Sequence, residues 1–315
     1  MKVAVSALFD PADTPHARTF MRALALARNT LPGLARVQWR FLDDGAHPVR
    51  AAEVARELIA WQANIVIGHF SSDAAMAAAP LYQAAGILLL TPAATLDSLT
   101  VEHPNVLRGC PSDRQLAVDL VRWLDARGWH RLYLDADPSA HGQALRSVIT
   151  QTARQAGLQP VEDPEQAQVE VFSGRLRSSR EYWRKRRDSG IQRPIMLTDD
   201  AASVHLGCAD EDDRNTYVIG FDAATELTTG CAVLLEHKAW FGTGPQTYGL
   251  ESLKLLYVLD ALIAVPEHPG GWIKRLTPFT FQSPWGEVRF KDGECLGAHH
   301  RIWQLGPTGL GPPGD

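Results

Sequence analysis

Hydrophobic positions in the first half of the chain alternate between short apolar runs and longer segments with helical spacing. Residues 2–8 and 64–67 are apolar runs, which predict buried strands. Residues 17–29, 48–62 and 73–85 carry apolar side chains every three or four positions, which predicts amphipathic helices. Strands that alternate with helices are typical of a parallel sheet covered by helices. The pattern therefore predicts an α/β protein.

The same alternation starts again in the middle of the chain. After a helix predicted over residues 113–127, a strand follows at 131–134 and a helix at 143–156. This restart predicts a second lobe. A long apolar helix at 248–263 and a hairpin-like stretch from 279 to 290 come later in the chain.

Composition and charge narrow the class of protein. The chain has 315 residues, enough for two domains or for one domain built as two lobes. Its formal net charge of -5 argues against a nucleic-acid surface. No apolar run reaches the roughly 18 residues of a membrane span, so we expect no direct membrane insertion. The four cysteines are widely spaced with no CxxC, and we expect neither a metal nor a cofactor.

One stretch of the second lobe is strongly basic. The helix predicted over residues 179–188 and the segment before it carry Arg175, Arg177, Arg180, Arg184, Lys185, Arg186 and Arg187. Such a cluster is either a solvated helix face or a surface for an anionic ligand or partner.

A strand that ends in glycine and runs through two hydroxyl residues into a helix is the most informative local pattern. Gly68 ends the strand, and Ser71 and Ser72 directly precede the helix predicted at 73–85. Serine at a helix N-terminus can cap the helix or share its hydroxyl with a ligand carboxylate. A second loop, residues 91–95, leaves the next strand at its carboxyl end, where ligands gather in open α/β sheets. Capping and ligand binding both remain open from the residues alone.

Taken together, the motifs of residues 66–107 carry a family resemblance. In order they are Gly68, Ser71, Ser72, Gly86-Ile87, Thr91-Pro92-Ala93-Ala94-Thr95, Leu99-Thr100 and Leu107-Arg108. In residue types and spacing this block resembles the type I periplasmic binding proteins, especially the leucine/isoleucine/valine-binding branch. Weaker similarity reaches the first strand and residues 247–250 and 286–293, so nearly the whole chain is covered.

This resemblance implies two Rossmann-like α/β lobes with parallel sheets, joined by a three-strand hinge and closing on a ligand. The N-terminal lobe is expected to hold residues 1–113 plus about 235–283. The C-terminal lobe is expected to hold residues 114–234 plus about 284–305. The Gly- and Pro-rich tail, residues 306–315, is expected to be disordered.

The resemblance also implies which residues hold the ligand. Ser72 and Thr95 would bind the carboxylate of an amino-acid-like ligand, together with backbone groups at Ala93. On the other wall of the cleft, Asp199 would receive the ligand ammonium. Hydrogen-bond donors facing a carboxylate suit a zwitterion in a closed, dry cleft. The expected binding residues of the first lobe's loops are Ser71, Ser72, Ala93, Ala94 and Thr95.

Three further expected contacts depart from the family pattern. Tyrosines line the family's cleft, whereas this chain has His141 at one such place, Arg175 or Leu176 near another and His16 near a third. Histidine and arginine suggest that the ligand carries a polar or anionic group.

These observations favour a solute-binding protein without catalytic residues, which captures a small ligand for ABC-type import and meets an ABC permease. The alternative is a cytoplasmic ligand sensor, similar to amide-sensing regulators, that signals to a regulatory protein. An enzyme is disfavoured because GxSxG, HExxH, GxxxxGK[ST] and GxGxxG are absent from the sequence. We expect a periplasmic location if the chain lacks its leader, and a cytoplasmic one otherwise.

Overall fold

The chain forms two compact units. The computed structural model describes residues 1–10, 14, 16–221, 232–264, 279–284, 286–298 and 300–314. Unit 1 comprises Met1–Pro111 and Thr228–Ala298, and unit 2 comprises Ser112–Leu227 and His299–Asp315. The chain therefore passes from one unit to the other three times, as a three-strand connection requires. In the described residues no helix is both long and apolar enough to cross a bilayer.

Strands and helices follow each other closely along the described residues. The strands are β1 (Lys2–Ala7), β2 (Gln38–Asp43), β3 (Ile65–Gly68), β4 (Leu88–Thr91), β5 (Val106–Arg108), β6 (Arg131–Ala136), β7 (Gln159–Val161), β8 (Val169–Ser173), β9 (Ile195–Leu197), β10 (Thr216–Gly220), β11 (Phe279–Ser283), β12 (Gly286–Lys291), β13 (Glu294–Cys295), β14 (Arg301–Gly306) and β15 (Gly309–Gly311). The helices are α1 (His16–Thr30), α2 (Pro48–Ala60), α3 (Ser72–Ala84), α4 (Ser98–Glu102), α5 (Asp113–Ala126), α6 (Ala140–Gln155), α7 (Leu176–Asp188), α8 (Ala232–Phe241) and α9 (Gly249–Ala264).

Unit 1 is built on one sheet with the strand order β11-β12-β13-β5-β4-β3-β1-β2. The strands from β5 to β2 in that order run parallel, and β13 pairs parallel with β5. The two strands beyond β13 are antiparallel. The order 2-1-3-4-5 is that of a doubly wound sheet, whose switch point lies between β1 and β3.

Unit 2 repeats this arrangement in the order β15-β14-β10-β9-β8-β6-β7. Its five consecutive strands β6 to β10 are parallel, with the switch point between β6 and β8. The antiparallel strands β14 and β15 extend the sheet beside β10. The predicted class, two α/β lobes with parallel sheets, is confirmed.

Each unit has its own hydrophobic core because helices cover the central strands. In unit 1 the core includes Val54 and Leu58 of α2 and Tyr82 of α3, packed on the strands. In unit 2 it includes Leu120 of α5 and Ile149 of α6. The short strands β3 and β4 are buried at every position, which explains why the sequence shows them as continuous apolar runs.

The basic cluster around α7 is only partly a solvated face. Arg186 pairs with the buried carboxylate of Glu170, which also accepts from Arg193 at 2.8 Å. The Arg187 Nε lies 2.8 Å from Oδ2 of Asp213. These arginines neutralise buried carboxylates inside unit 2, because a buried carboxylate is costly without a partner. They are therefore not available to an outside anionic partner.

The structure differs from the predicted lobe boundaries at the end of the chain. Residues 284–298, which were expected in the C-terminal lobe, belong to unit 1 because β12 pairs with β11 and Glu294 pairs with Arg108. Unit 1 also resumes at Thr228 rather than near 235. The predicted tail at 306–315 is not a disordered segment, since Leu310 pairs with Leu305 in the β14–β15 hairpin. Residue 285 and residues 265–278 lie outside the described part of the chain.

Candidate functional site

The predicted site residues follow the carboxyl ends of strands at or beside the switch points. In unit 1, Ser71 and Ser72 follow β3, residues 93–95 follow β4, and His16 begins the helix that follows β1. In unit 2, His141, Arg175 and Asp199 follow β6, β8 and β9. Loops at these strand ends form the ligand sites of doubly wound sheets.

Gly68 makes the turn from β3 towards α3 possible. Its φ of +131° lies in a region that side chains disfavour, and a Cβ on it would collide with the carbonyl oxygen of Ser6 in β1. Only glycine therefore lets β3 approach β1 so closely while the chain turns to present Ser71 and Ser72.

The Ser72 hydroxyl joins the two loops of unit 1. Its Oγ accepts the N–H of Thr95 at 3.2 Å and that of Leu96 at 3.4 Å. A hydroxyl has two lone pairs and one proton. Because both lone pairs are used by the loop, the proton is what Ser72 can still offer. The hydroxyl is thus oriented as a donor, which suits a ligand carboxylate.

Plain helix capping does not explain the serine pair. Ser71 is the N-cap of α3, but its side chain makes no capping hydrogen bond. By contrast, Ser112 caps α5 and Ser139 caps α6 through their hydroxyls. In α3 the second serine bonds to the loop after β4 instead. The open alternative from the sequence is therefore decided against side-chain capping at Ser71.

The loop after β4 is fixed from two sides. Thr91 Oγ1 donates to the carbonyl of His69 at 3.1 Å and accepts the N–H of Ala94 at 3.1 Å. The guanidinium of Arg108 donates to the carbonyl of Leu96 at 2.7 Å and to that of Ala94 at 3.4 Å. Arg108 was part of the family motif in the sequence, but its role as a clamp on this loop was missed.

A buried polar network lies directly before Ser71. Nδ1 of His69 donates to Oδ2 of Asp44 at 2.7 Å, and Ser6 Oγ donates to the same oxygen at 2.9 Å. On the other side of the ring, Nε2 lies 3.1 Å from the Tyr82 hydroxyl. Burial alone would raise the pKa of Asp44, but the hydrogen bonds and charge of His69 hold it below its usual value. This network fixes the backbone that leads into Ser71.

His16 packs on an aromatic residue that the sequence reasoning did not select. Its ring meets the ring of Tyr248 edge-on, with centroids 4.7 Å apart. Tyr248 is buried and has a φ of +65°, an uncommon left-handed conformation for a tyrosine. The signal for Tyr248 was its place directly before α9, in a segment that resembles the family.

The unit 2 residues His141 and Asp199 lie side by side. Asp199 is fully buried in a short 3-10 helix after β9. His141 lies in the first turn of α6, which begins at Ala140 because Ser139 Oγ accepts the N–H of Gly142 at 3.0 Å. Nε2 of His141 is 4.0 Å from Oδ1 of Asp199. The pair places one titratable cation beside the carboxylate predicted to bind the ligand ammonium.

Arg175 enters the structure through its backbone. Its N–H donates to Oδ2 of Asp137 at 2.9 Å, and the residue as a whole is exposed. Asp137 also accepts from the hydroxyl of Ser178 at 2.6 Å and from Ser139. Burial raises the pKa of Asp137, but these hydrogen bonds outweigh it and the pKa is lowered. Asp137 therefore ties together the loops after β6 and β8.

Metal binding has no support in the described parts of the chain, where no group of three or more His, Cys, Asp and Glu side chains could hold an ion. The chemistry available is therefore that of hydrogen-bond donors in unit 1 and of a carboxylate with a histidine in unit 2. Both suit a small charged organic ligand.

Comparison with known proteins gives the family. The model of the periplasmic binding protein family matches residues 4–206. A Leu/Ile/Val-binding protein of Citrobacter freundii is 40% identical over 116 residues, which is 36% of this chain and 32% of that protein. The matched segment thus spans about a third of the length of the curated relatives.

Solved structures share the fold along nearly the whole chain. A leucine-binding protein from Thermotoga maritima MSB8 has a TM-score of 0.83 at 17% identity, covering 99% of this chain and 97% of that one. An ABC-transporter solute-binding protein from Rhodopseudomonas palustris BisB5, in complex with 3,4-dihydroxybenzoic acid, has a TM-score of 0.81 at 14% identity, covering 100% and 98%.

At these low identities the structural similarity establishes the fold, and the family model supplies the membership. Proteins of this family and these structural neighbours bind solutes and are not enzymes. Because the family model covers more than half of the chain, the chain belongs to the type I periplasmic binding proteins, in their leucine/isoleucine/valine-binding-protein-like class.

Proposed function

We propose that this chain captures an amino acid or a close relative and delivers it to an ABC permease. The observation that carries the proposal is the Ser72 hydroxyl, whose lone pairs are both used by the loop after β4 so that its proton can point to a ligand. Ser72 with Thr95 would hold the ligand carboxylate, and Asp199 would hold the ammonium. Charge-assisted hydrogen bonds of this kind are the strong ones in a dry site.

The ligands of the structural neighbours support a carboxylate site in unit 1. One neighbour is named for leucine and another holds 3,4-dihydroxybenzoic acid. These two compounds share a carboxylate on a mainly apolar body, and only leucine carries an ammonium. The carboxylate would therefore be the common element, and residues such as His141 and Asp199 would decide between ligand classes.

The family also supports a site of action outside the inner membrane. Periplasmic binding proteins are named for that compartment, and several structural neighbours are named as ABC-transporter proteins. We propose the same compartment and an ABC permease as the partner of this chain. No observation on the structure favours the alternative role as a cytoplasmic sensor.

A thermal-shift screen against amino acids, amides and aromatic acids tests the proposal. A ligand at 100 times its dissociation constant adds about 2.7 kcal/mol, enough to move the transition by several degrees. A hit among α-amino acids is expected. A screen in which no amino acid or related carboxylate shifts the transition would contradict the proposed function.

Variants of the carboxylate site locate the binding. Ser72→Ala combined with Thr95→Ala removes hydrogen bonds worth about 1.5–3 kcal/mol each, so we expect a loss of affinity of at least about tenfold by calorimetry. Ser147→Ala is the matched control, because its exposed hydroxyl bonds only to the carbonyl of Gln143 in its own helix. Wild-type affinity in the double variant would show that the carboxylate lies elsewhere.

A further inference from the structure

His141 is surrounded by carboxylates from every element that packs around it. Asp199 and Asp200 come from the 3-10 helix after β9, Asp113 is the first residue of α5, and Asp137 lies in the loop after β6. The charge of Asp137 is compensated by the N–H and hydroxyl donors around it. The nearest carboxylate is that of Asp199, which is fully buried.

The protonated form of His141 is therefore favoured inside unit 2. Burial of the ring lowers the pKa of His141, but the four carboxylates outweigh the burial and the net pKa is raised above its ordinary value of 6.5. The side chain is only 17% exposed. Its Nε2 is buried and makes no hydrogen bond within the described residues, so its main electrostatic partner is the Asp199 carboxylate 4.0 Å away.

An imidazolium at this position competes with a ligand ammonium. The proposed function places that ammonium on Asp199, where it would lie within a few ångströms of the imidazole ring. Two unit charges 4 Å apart repel by about 4 kcal/mol at the effective dielectric constant of a protein surface. Ammonium and imidazolium therefore cannot both be well accommodated by the one carboxylate.

We propose that His141 is a protonation gate of the amino-acid site: a ligand ammonium takes the place of the imidazolium charge at Asp199, and His141 releases its proton to the solvent. This inference rests on the proposed function and adds to it a rule of ligand choice. The neutral-histidine form selects zwitterions, whereas the protonated form keeps Asp199 neutralised and accepts carboxylates without an ammonium.

Coupling to a proton has a measurable consequence for affinity. Where His141 is protonated before binding, the affinity for a zwitterion rises with pH by up to about tenfold per pH unit, and the rise stops once the ring is neutral. A carboxylate without an ammonium does not show this rise. The pair of probes is leucine and 4-methylpentanoate, which has the carbon skeleton of leucine without the ammonium.

Calorimetry in two buffers of different ionisation enthalpy counts the protons released on binding. For the wild-type chain we expect leucine to release up to one proton between about pH 6 and 8, and 4-methylpentanoate to release none. The count in His141→Gln with leucine should fall to near zero. The matched control is His130→Gln, because the exposed His130 also pairs with an aspartate, Asp125, and should leave the count unchanged.

The outcomes separate the gate from the function. Leucine binding without proton release and with pH-independent affinity would overturn the gate and leave the proposed function standing. A failure of leucine to bind at any pH in the range would overturn both. The wild-type proton count needs no variant, so the test holds even if His141→Gln does not fold. Release that persists in a folded His141→Gln would assign the proton to another group and also overturn the gate.

Discussion

Among single residues, the chemistry of each polar side chain depends on which of its atoms are already used. Ser72 has spent both lone pairs on backbone N–H groups and keeps a proton to donate. Thr91, at the end of the neighbouring strand, uses its proton on the His69 carbonyl and a lone pair on the Ala94 N–H. Two similar hydroxyls thus have different roles. We assign Ser72 to the ligand and Thr91 to the loop.

The charge of Asp44 makes a test of the buried network. Asp44→Asn removes the charge that accepts hydrogen bonds from His69 and Ser6, and we expect a loss of about 3 kcal/mol in the free energy of unfolding at neutral pH. The folded pKa of Asp44 lies below its ordinary 3.8, so its stabilisation is present above about pH 4 and is lost as the pH falls through the folded pKa.

Urea unfolding of wild type and Asp44→Asn at neutral and acid pH measures this difference. We expect the two curves to approach each other in acid. Asp125→Asn serves as the control, since Asp125 also lies 3.2 Å from a histidine but both partners are exposed. An Asp44→Asn loss that stays the same at all pH values would mean that packing, rather than charge, holds this network.

At the scale of secondary-structure elements, the loop after β4 depends on a strand from far along the chain. Arg108 ends β5 and clamps the loop, and its guanidinium pairs with Glu294 of β13. Thr100 of α4 donates to the same carboxylate. The late hairpin thus supports the carboxylate-binding loop without touching the proposed ligand.

Replacing this carboxylate should weaken ligand binding indirectly. Glu294→Gln leaves the buried guanidinium of Arg108 without its counter-charge, at a cost of about 1–3 kcal/mol in the free energy of unfolding. Because the loop loses its anchor, we expect a several-fold weaker affinity for the amino acid found in the screen. Calorimetry and urea unfolding measure the two effects. Glu287→Gln is the control, because Glu287 forms an exposed pair with Arg289. Unchanged affinity in a destabilised Glu294→Gln would separate the clamp from the site.

How much of these elements could be predicted depends on the distance of their partners in sequence. The apolar runs of β1, β3 and β4 are local signals, and the Ser72–Thr95 contact was expected from the family motif. The clamp of Arg108 on the loop needs three-dimensional coordinates, because its acceptors are backbone carbonyls. The assignment of β12 and β13 to unit 1 needed a pairing partner nearly two hundred residues away, which no local pattern contains.

On the scale of the whole molecule, two units with separate cores are joined by three passages of the chain. The repeated α/β pattern predicted both units, since each doubly wound sheet needs the same alternation of strand and helix. The lobe boundaries were predicted less well, because β-strand pairing decides them. The proposed ligand contacts come from both units, so binding should change the dynamics of both.

Amide hydrogen exchange with and without a saturating amino acid tests capture by both units. We expect slower exchange in the loop at residues 91–96 of unit 1 and in residues 139–142 and 199–201 of unit 2, because a ligand that binds only the folded sites suppresses their local opening. Strand β7, at the far edge of its sheet, is the internal reference and should not change. The double variant Ser72→Ala, Thr95→Ala should lose the protection in both units together, since one ligand produces it. Protection confined to unit 1 would show that Asp199 and His141 do not meet the ligand, and would leave a carboxylate site without the ammonium contact.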